Sequence, residues 1–289
     1  MSKAVHYDLT TFESTIQSLG KYLNITEREI SKYIANNKDN YDSDEFIELF
    51  QITDEQLLSS ELIMSSLHVT TNNDDCSSIK KYGLINLQQA ISLDTPLNKY
   101  LQNHGVQIDL VNKQIHYKGG IYNISKDFRG LSGRNSAEWV SFKLFEDYQI
   151  NSFFSSENVL NYGGNVNENP EFLYNLAQLL KDGKIKYDWM NDTNKKCYII
   201  KFEAPLSNIN NFYHRTYTEN LEEIEIDLMN RKWIIEKSLS ILNDGIFHGG
   251  YTNEIHCELK PSVSVPFSNI IKIYTPSEYL KEYKVNKNE

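Results

Sequence analysis

Apolar positions along the first sixty residues recur at three- and four-residue steps, which predicts helices. Thr10-Thr11-Phe12-Glu13 opens a segment whose apolar residues are Ile16, Leu19, Tyr22 and Leu23. Thr26-Glu27-Arg28-Glu29 has the Thr-x-x-Glu spacing of a capping box and leads to Ile30, Tyr33 and Ile34. Asn36 to Asn40 breaks that pattern, and Asp42-Ser43-Asp44-Glu45 starts a third segment carrying Phe46, Ile47, Leu49 and Phe50.

After residue 66 the period changes. Leu67 to Thr71 reads as a short strand, and Asp74 to Gly83 as a helix closed by a C-cap glycine. Residues 107–124 read as a hairpin, 135–145 as a helix and Asn151 to Ser156 as a strand. Pro170 to Leu180 predicts an amphipathic helix with proline in its first turn. Cys197 to Phe202 is the strongest strand signal, Leu228 to Leu242 predicts a helix, and Glu254–Leu259 and Ile270–Tyr274 predict the last strands. Helices and strands mix without a βαβ rhythm or an internal repeat, so the expected class is α+β, with a small helical N-terminal segment (residues 1–60) before a larger domain (61–289).

The helix-turn-helix order near the N-terminus invites a DNA-binding reading, and charge opposes it. Residues 1–60 carry five Lys or Arg against eleven Asp or Glu, and the whole chain of 289 residues has net charge −10. A backbone-tracking nucleic-acid binder needs a basic excess or stripe. The acidic segment is better read as a packing element or as a surface for a protein partner. No apolar run suits a membrane span or a signal peptide, so a cytoplasmic protein with no membrane association is expected. Cys76, Cys197 and Cys257 stand far apart with no metal-ligand companions, so neither a disulfide framework nor a metal site is expected.

Two short segments far apart in the chain carry the candidate chemistry. The first is Leu67-His68-Val69-Thr70-Thr71, followed by Ile79 and Tyr82-Gly83-Leu84. The second is Asn253-Glu254-Ile255-His256-Cys257-Glu258-Leu259, followed by Val265-Pro266 and Ile270-Ile271-Lys272-Ile273. In this order they resemble the first and last signature strands of the ADP-ribosyltransferase fold, in its His-Tyr-Glu branch of diphtheria toxin-like and poly(ADP-ribose) polymerase-like proteins. The resemblance lies within residues 61–289 and rests on about thirty of them, whereas the N-terminal segment matches no family pattern.

That resemblance implies a split β-sandwich core, NAD as co-substrate, and transfer of ADP-ribose to an acceptor after the nicotinamide–ribose bond breaks. His68 takes the place of the histidine that holds a ribose of NAD, Val69 supplies backbone for the carboxamide of nicotinamide, and Thr70 replaces the usual Ser or Thr two residues on. Glu254 corresponds to the glutamate that binds the ribose 2′-hydroxyl and stabilises positive charge. On a strand, Glu254, His256 and Glu258 share a face, which makes Glu258 the competing carboxylate. Phe153-Phe154 stands where the family has an aromatic-rich strand, with Phe replacing its tyrosine, and Tyr162-Gly163-Gly164 where a second tyrosine follows. Phe154 and Tyr162 are then expected to sandwich nicotinamide. Arg134, with Arg129 as an alternative, is expected to reach the pyrophosphate.

The implied function is mono-ADP-ribosylation of a protein or nucleic-acid acceptor, as in a bacterial or phage toxin or defence factor. Two alternatives accompany it: an NAD glycohydrolase, and an inactive member of the fold that binds a partner through residues 1–60. Thr252-Asn253-Glu254 departs from the Glu-x-Glu or Gln-x-Glu of arginine-specific members, which argues against arginine modification, and the few arginines argue against the RNA 2′-phosphotransferase branch.

Overall fold

The computed structural model describes residues 3–125, 136–157, 159–162, 165–210, 212, 219–250 and 254–283. It opens with β1 (Lys3–Tyr7) and four helices, α1 (Phe12–Leu23), α2 (Glu27–Asn36), α3 (Ser43–Leu49) and α4 (Asp54–Leu58). The central strand β2 (Ser60–Asn72) and α5 (Ser77–Tyr82) follow. A helical lobe then holds α6 (Leu87–Ser92), α7 (Pro96–Asn103), β3 (Val106–Asp109), β4 (Gln114–Tyr117), β5 (Gly120–Asn123) and α8 (Ser136–Phe145). After β6 (Asn151–Phe153) the chain returns to that lobe with α9 (Glu171–Leu180) and α10 (Lys184–Met190). It ends with β7 (Lys196–Pro205), α11 (Glu223–Phe247), β8 (His256–Glu258), β9 (Ile270–Tyr274) and α12 (Pro276–Glu282). The fold is α+β, and all its strand pairings except β1 with β2 are antiparallel.

Capping chemistry sets the early helices where the sequence places them. Thr11 caps α1 and Thr26 caps α2, each in a reciprocal capping box with the residue three positions on, and the Asp42 side chain accepts two amides at the start of α3. Gly83 ends α5 at φ +75°, and a Cβ there would stand 1.9 Å from the carbonyl oxygen of Val265. Only glycine fits, because the chain must pass close enough for Leu84 to bridge Val265.

The main sheet runs β8-β6-β2-β7-β9, and β1 pairs with the first half of β2. β3, β4 and β5 form a separate three-stranded sheet. Three apolar clusters follow. The largest joins one face of the main sheet to α1–α4 and α11. A second holds the helical lobe together around Leu101, Ile115, Val140, Leu173, Leu176 and Trp189. A smaller third packs Leu67, Val69 and Ile199 against Tyr274 and Tyr279.

Residues 1–60 do not form a separate layer, and the boundary expected at residue 60 is not a break in packing. Val5, Tyr7, Leu19, Ile30 and Phe46 share one core with Leu62, Phe202, Ile234 and Leu239. The segment also begins with a strand, β1, which the helical periodicity did not anticipate. Arg231 of α11, 6% exposed, fastens the two parts: its Nη1 donates to the carbonyls of Leu57 (2.7 Å) and Ser60 (2.9 Å) and to the Tyr22 hydroxyl (3.3 Å). Among the described residues no helix is long and apolar enough to cross a membrane.

Candidate functional site

β2 keeps its ladder with β7 from Ile63 to Asn72, yet pairs with β6 only at Leu67↔Phe153. Beyond Leu67 the two neighbours part, and the gap opens into a cavity of about 1060 Å³ between the main sheet and the helical lobe. His68 stands at the point of parting. Its Nδ1 donates to the Asn151 carbonyl at 2.7 Å, which leaves Nε2 as an acceptor in the neutral ring. Burial pushes the His68 pKa below its ordinary value, against the smaller opposing effect of that hydrogen bond.

The sheet order brings the distant signature strands together, because β6 lies between β2 and β8. His68, Val69 and Thr70 from β2, Tyr162 from the loop after β6, and His256 and Glu258 from β8 all line the cavity. Val69 pairs with Ile199 and packs its side chain into the third cluster, and Thr70 pairs with Tyr198. The Tyr162 ring meets Phe153 edge-on, with centroids 4.9 Å apart, and lies parallel to the His256 ring at 5.8 Å. Burial raises the Tyr162 pKa, and the nearby negative charge of Glu254 adds to the effect.

Two expected residues stand elsewhere. Phe154 does not reach the cavity: it is fully buried on the other face of the sheet, against Phe212 and Trp233. Strand alternation gives the cavity to Phe153 instead. Glu254 is exposed and lines a small adjacent pocket with Trp233, Lys237 and Ser240 of α11, and His256 is the wall shared by the two spaces. Arg134 and its alternative Arg129 lie outside the described residues.

Glu254 follows the end of a ladder. The Phe154 amide donates to the Ile255 carbonyl at 2.8 Å, and the Ile255 amide donates to the Ser155 hydroxyl at 2.9 Å. A side-chain oxygen thus takes the place of a backbone acceptor where β6 turns away, and Glu254 is the first residue beyond it. The next serine holds the same turn from outside: Ser156 Oγ donates to the Thr10 carbonyl at 2.7 Å, and the Tyr279 hydroxyl donates to the Ser156 carbonyl.

Acceptors are frequent around the cavity, and of these sequence reasoning named only Glu258. Lys143 donates to Asp147 (2.5 Å) and Glu171 (2.7 Å). Burial alone depresses the Lys143 pKa, but these carboxylates hold it above its ordinary value. Gln149 donates to Asp147 (3.3 Å) and Glu258 (3.0 Å), and Asn210 also donates to Glu258 (3.2 Å). Among the described lining residues Glu146, Asp147, Glu171 and Glu258 face one lysine, so the potential is negative. Only the Lys143–Asp147 pair has a local sequence signal, its i,i+4 spacing, with Lys143 in the last turn of α8 and Asp147 just beyond it. Trp189 Nε1 donates to Thr71 Oγ1 at 3.1 Å and ties the helical lobe to β2. No group of three or more His, Cys, Asp or Glu among the described residues is placed to hold a metal ion.

Comparison of the chain with protein-family models, with curated proteins and with solved structures finds no match.

Proposed function

We propose that this chain is an NAD-dependent mono-ADP-ribosyltransferase whose main sheet and cavity correspond to the split β-sandwich of that fold. The observation that carries the reading is the sheet order β8-β6-β2, with the opening beside His68. It gathers His68, Tyr162 and the strand that follows Glu254 around one space large enough for a dinucleotide, as the resemblance requires.

The reaction breaks the bond from ribose C1′ to the pyridinium nitrogen, and the electron pair leaves with neutral nicotinamide. Positive charge develops on the ribose, where preorganised negative groups lower the barrier. Glu254, which lines the small pocket across His256 and is near enough to Tyr162 for its charge to raise that pKa, accepts the 2′-hydroxyl. His68 Nε2 accepts a ribose hydroxyl, its tautomer fixed by the Asn151 carbonyl. Phe153 and Tyr162 supply the aromatic surface for nicotinamide. The acidic lining adds a field of favourable sign for the cationic end of NAD.

The test is nicotinamide release from NAD labelled in its adenylate, with wild type, Glu254→Gln and Glu258→Gln. Loss of about a hundredfold in Glu254→Gln alone is expected. Equal loss in Glu258→Gln alone would move the ribose contact to that residue, and no release from wild type would remove the enzyme reading. Free ADP-ribose as the sole labelled product would identify water as the acceptor.

A further inference from the structure

Where β2 and β6 part, no ladder pairing beyond Leu67↔Phe153 holds Asn151 against β2. The 2.7 Å bond from His68 Nδ1 to the Asn151 carbonyl therefore depends on what else fixes Asn151. On its other side Asn151 pairs with Glu258 of β8. Its side-chain Nδ2 donates to Asp147 Oδ1 at 3.1 Å, four residues back and just after α8. Asp147 is held in turn by its own amide, which donates to the Phe142 carbonyl at 2.9 Å, and by Lys143, which donates to Oδ2 at 2.5 Å. Gln149 Nε2 is a further donor to Oδ1 at 3.3 Å and also reaches Glu258 Oε2 at 3.0 Å. One carboxylate thus gathers three side-chain donors, which it can do because it only accepts. For the same reason both amides must present nitrogen to it and turn their oxygens away. Gln149 Oε1 and Asn151 Oδ1 are buried with no hydrogen-bond partner among the described residues. A network built for stability alone would pair them, so the cost it carries marks an arrangement that serves the site.

We propose that Asp147 is a positioning residue for His68. By holding the Asn151 side chain it aims the Asn151 carbonyl at His68 Nδ1, which keeps the ring proton there and the lone pair on Nε2. The inference rests on the reading of His68 Nε2 as the acceptor of a ribose hydroxyl, and it makes that acceptor depend on a carboxylate two links away. Without the anchor the carbonyl is free to turn from Nδ1. The ring proton can then sit on Nε2, which presents a donor where the hydroxyl needs an acceptor. Lys143 supplies the positive charge that lets a half-buried carboxylate occupy this place, and its second partner, Glu171, ties the network to α9.

The experiment uses the full chain with isotopically labelled histidine, and reads the ring nitrogens by long-range proton–nitrogen correlation near neutral pH with no NAD added. His68→Gln identifies the His68 signals. Wild type is expected to carry the His68 proton on Nδ1. Asp147→Asn keeps the shape but sets an NH2 group against Lys143, and Asn151→Ala removes the anchor while the backbone carbonyl remains. Each is expected to move the His68 proton toward Nε2 and to lower kcat/KM for NAD about tenfold, the loss of one hydrogen bond, mainly through KM. The double variant is expected to lose no more than Asp147→Asn alone, because both changes act through one contact. An unchanged His68 signature in the folded variants would overturn the proposal, and so would additive losses in the double variant. A fall in kcat/KM with that signature unchanged would also overturn it, by assigning Asp147 to a contact with the substrate. If Asp147→Asn does not fold, Asn151→Ala decides alone. Absence of nicotinamide release from wild type is a different failure, that of the enzyme reading itself, since the tautomer is read without NAD.

Discussion

The hydroxyl of Ser155 accepts the backbone amide of Ile255 at 2.9 Å, one residue after Glu254 and at the last rung between β6 and β8. Both residues are buried, Ser155 at 1% and Ile255 at 7% exposure. Ser155→Ala leaves a buried amide without its acceptor, at a cost of about 1–3 kcal/mol. Glu254 then loses its fixed starting point, so kcat for NAD turnover is expected to fall with little change in KM. Urea unfolding and steady-state kinetics check the two parts separately, and an unchanged kcat would remove Ser155 as a positioning residue.

His68 makes stability depend on pH with a defined sign. Its pKa in the fold lies below the ordinary imidazole value of about 6.5, because burial disfavours the charged ring. The unfolded chain therefore binds more protons as pH falls through that value. The contribution of His68 is complete above about pH 6.5 and is lost as pH drops toward the lowered folded value. Burial shifts His256 in the same direction, so its contribution has the same sign. Urea midpoints at pH 5.5 and 7.5 are expected to differ less in His68→Gln than in wild type, and an unchanged difference would exclude His68 from the effect.

Phe153 and Phe154 separate binding from stability. Phe154 is fully buried on the α11 side of the sheet, so Phe154→Ala is expected to cost about 3–5 kcal/mol. If that protein still folds, its KM for NAD stays near the wild-type value. Phe153→Tyr introduces a hydroxyl at a ring that faces the cavity. Stability is expected to change by less than about 1.5 kcal/mol, while the KM for NAD shifts. The opposite pattern in NAD titrations would return the stacking role to Phe154.

Arg231 reports on the N-terminal segment. Arg231→Met removes the donors to the Leu57 and Ser60 carbonyls and to the Tyr22 hydroxyl, and is expected to cost about 3 kcal/mol. Deletion of residues 1–60 strips one face of the main core and is expected to abolish cooperative unfolding. A soluble truncated protein with a sharp transition would show that the segment is dispensable.

The sequence by itself determined what local chemistry controls. The Thr26 capping box, the Asp42 cap, the Gly83 stop and the Ile270–Tyr274 strand are visible because each depends on neighbours within a few residues. α11 was legible only over its apolar centre. It runs on to Glu223 and Phe247, and buried polar residues such as Asn230, Arg231, Ser238 and Asn243 interrupt the apolar stripe that marks a helix. β1 was missed because a five-residue edge strand offers only Val5 and Tyr7 as an alternating pair. Signature segments far apart in the chain named His68 and Glu254 as candidates, but not the distance between them.

Tertiary structure alone decided that β6 lies between β2 and β8, that β2 leaves β6 after Leu67, and that the helical lobe roofs the opening. It also decided that Phe153 faces the cavity while Phe154 faces the core, since a one-residue change in register exchanges the two faces of a strand. The acidic lining and the small Glu254 pocket have the same origin. Their residues come from separate elements, and no local pattern records which of them the packed core holds together.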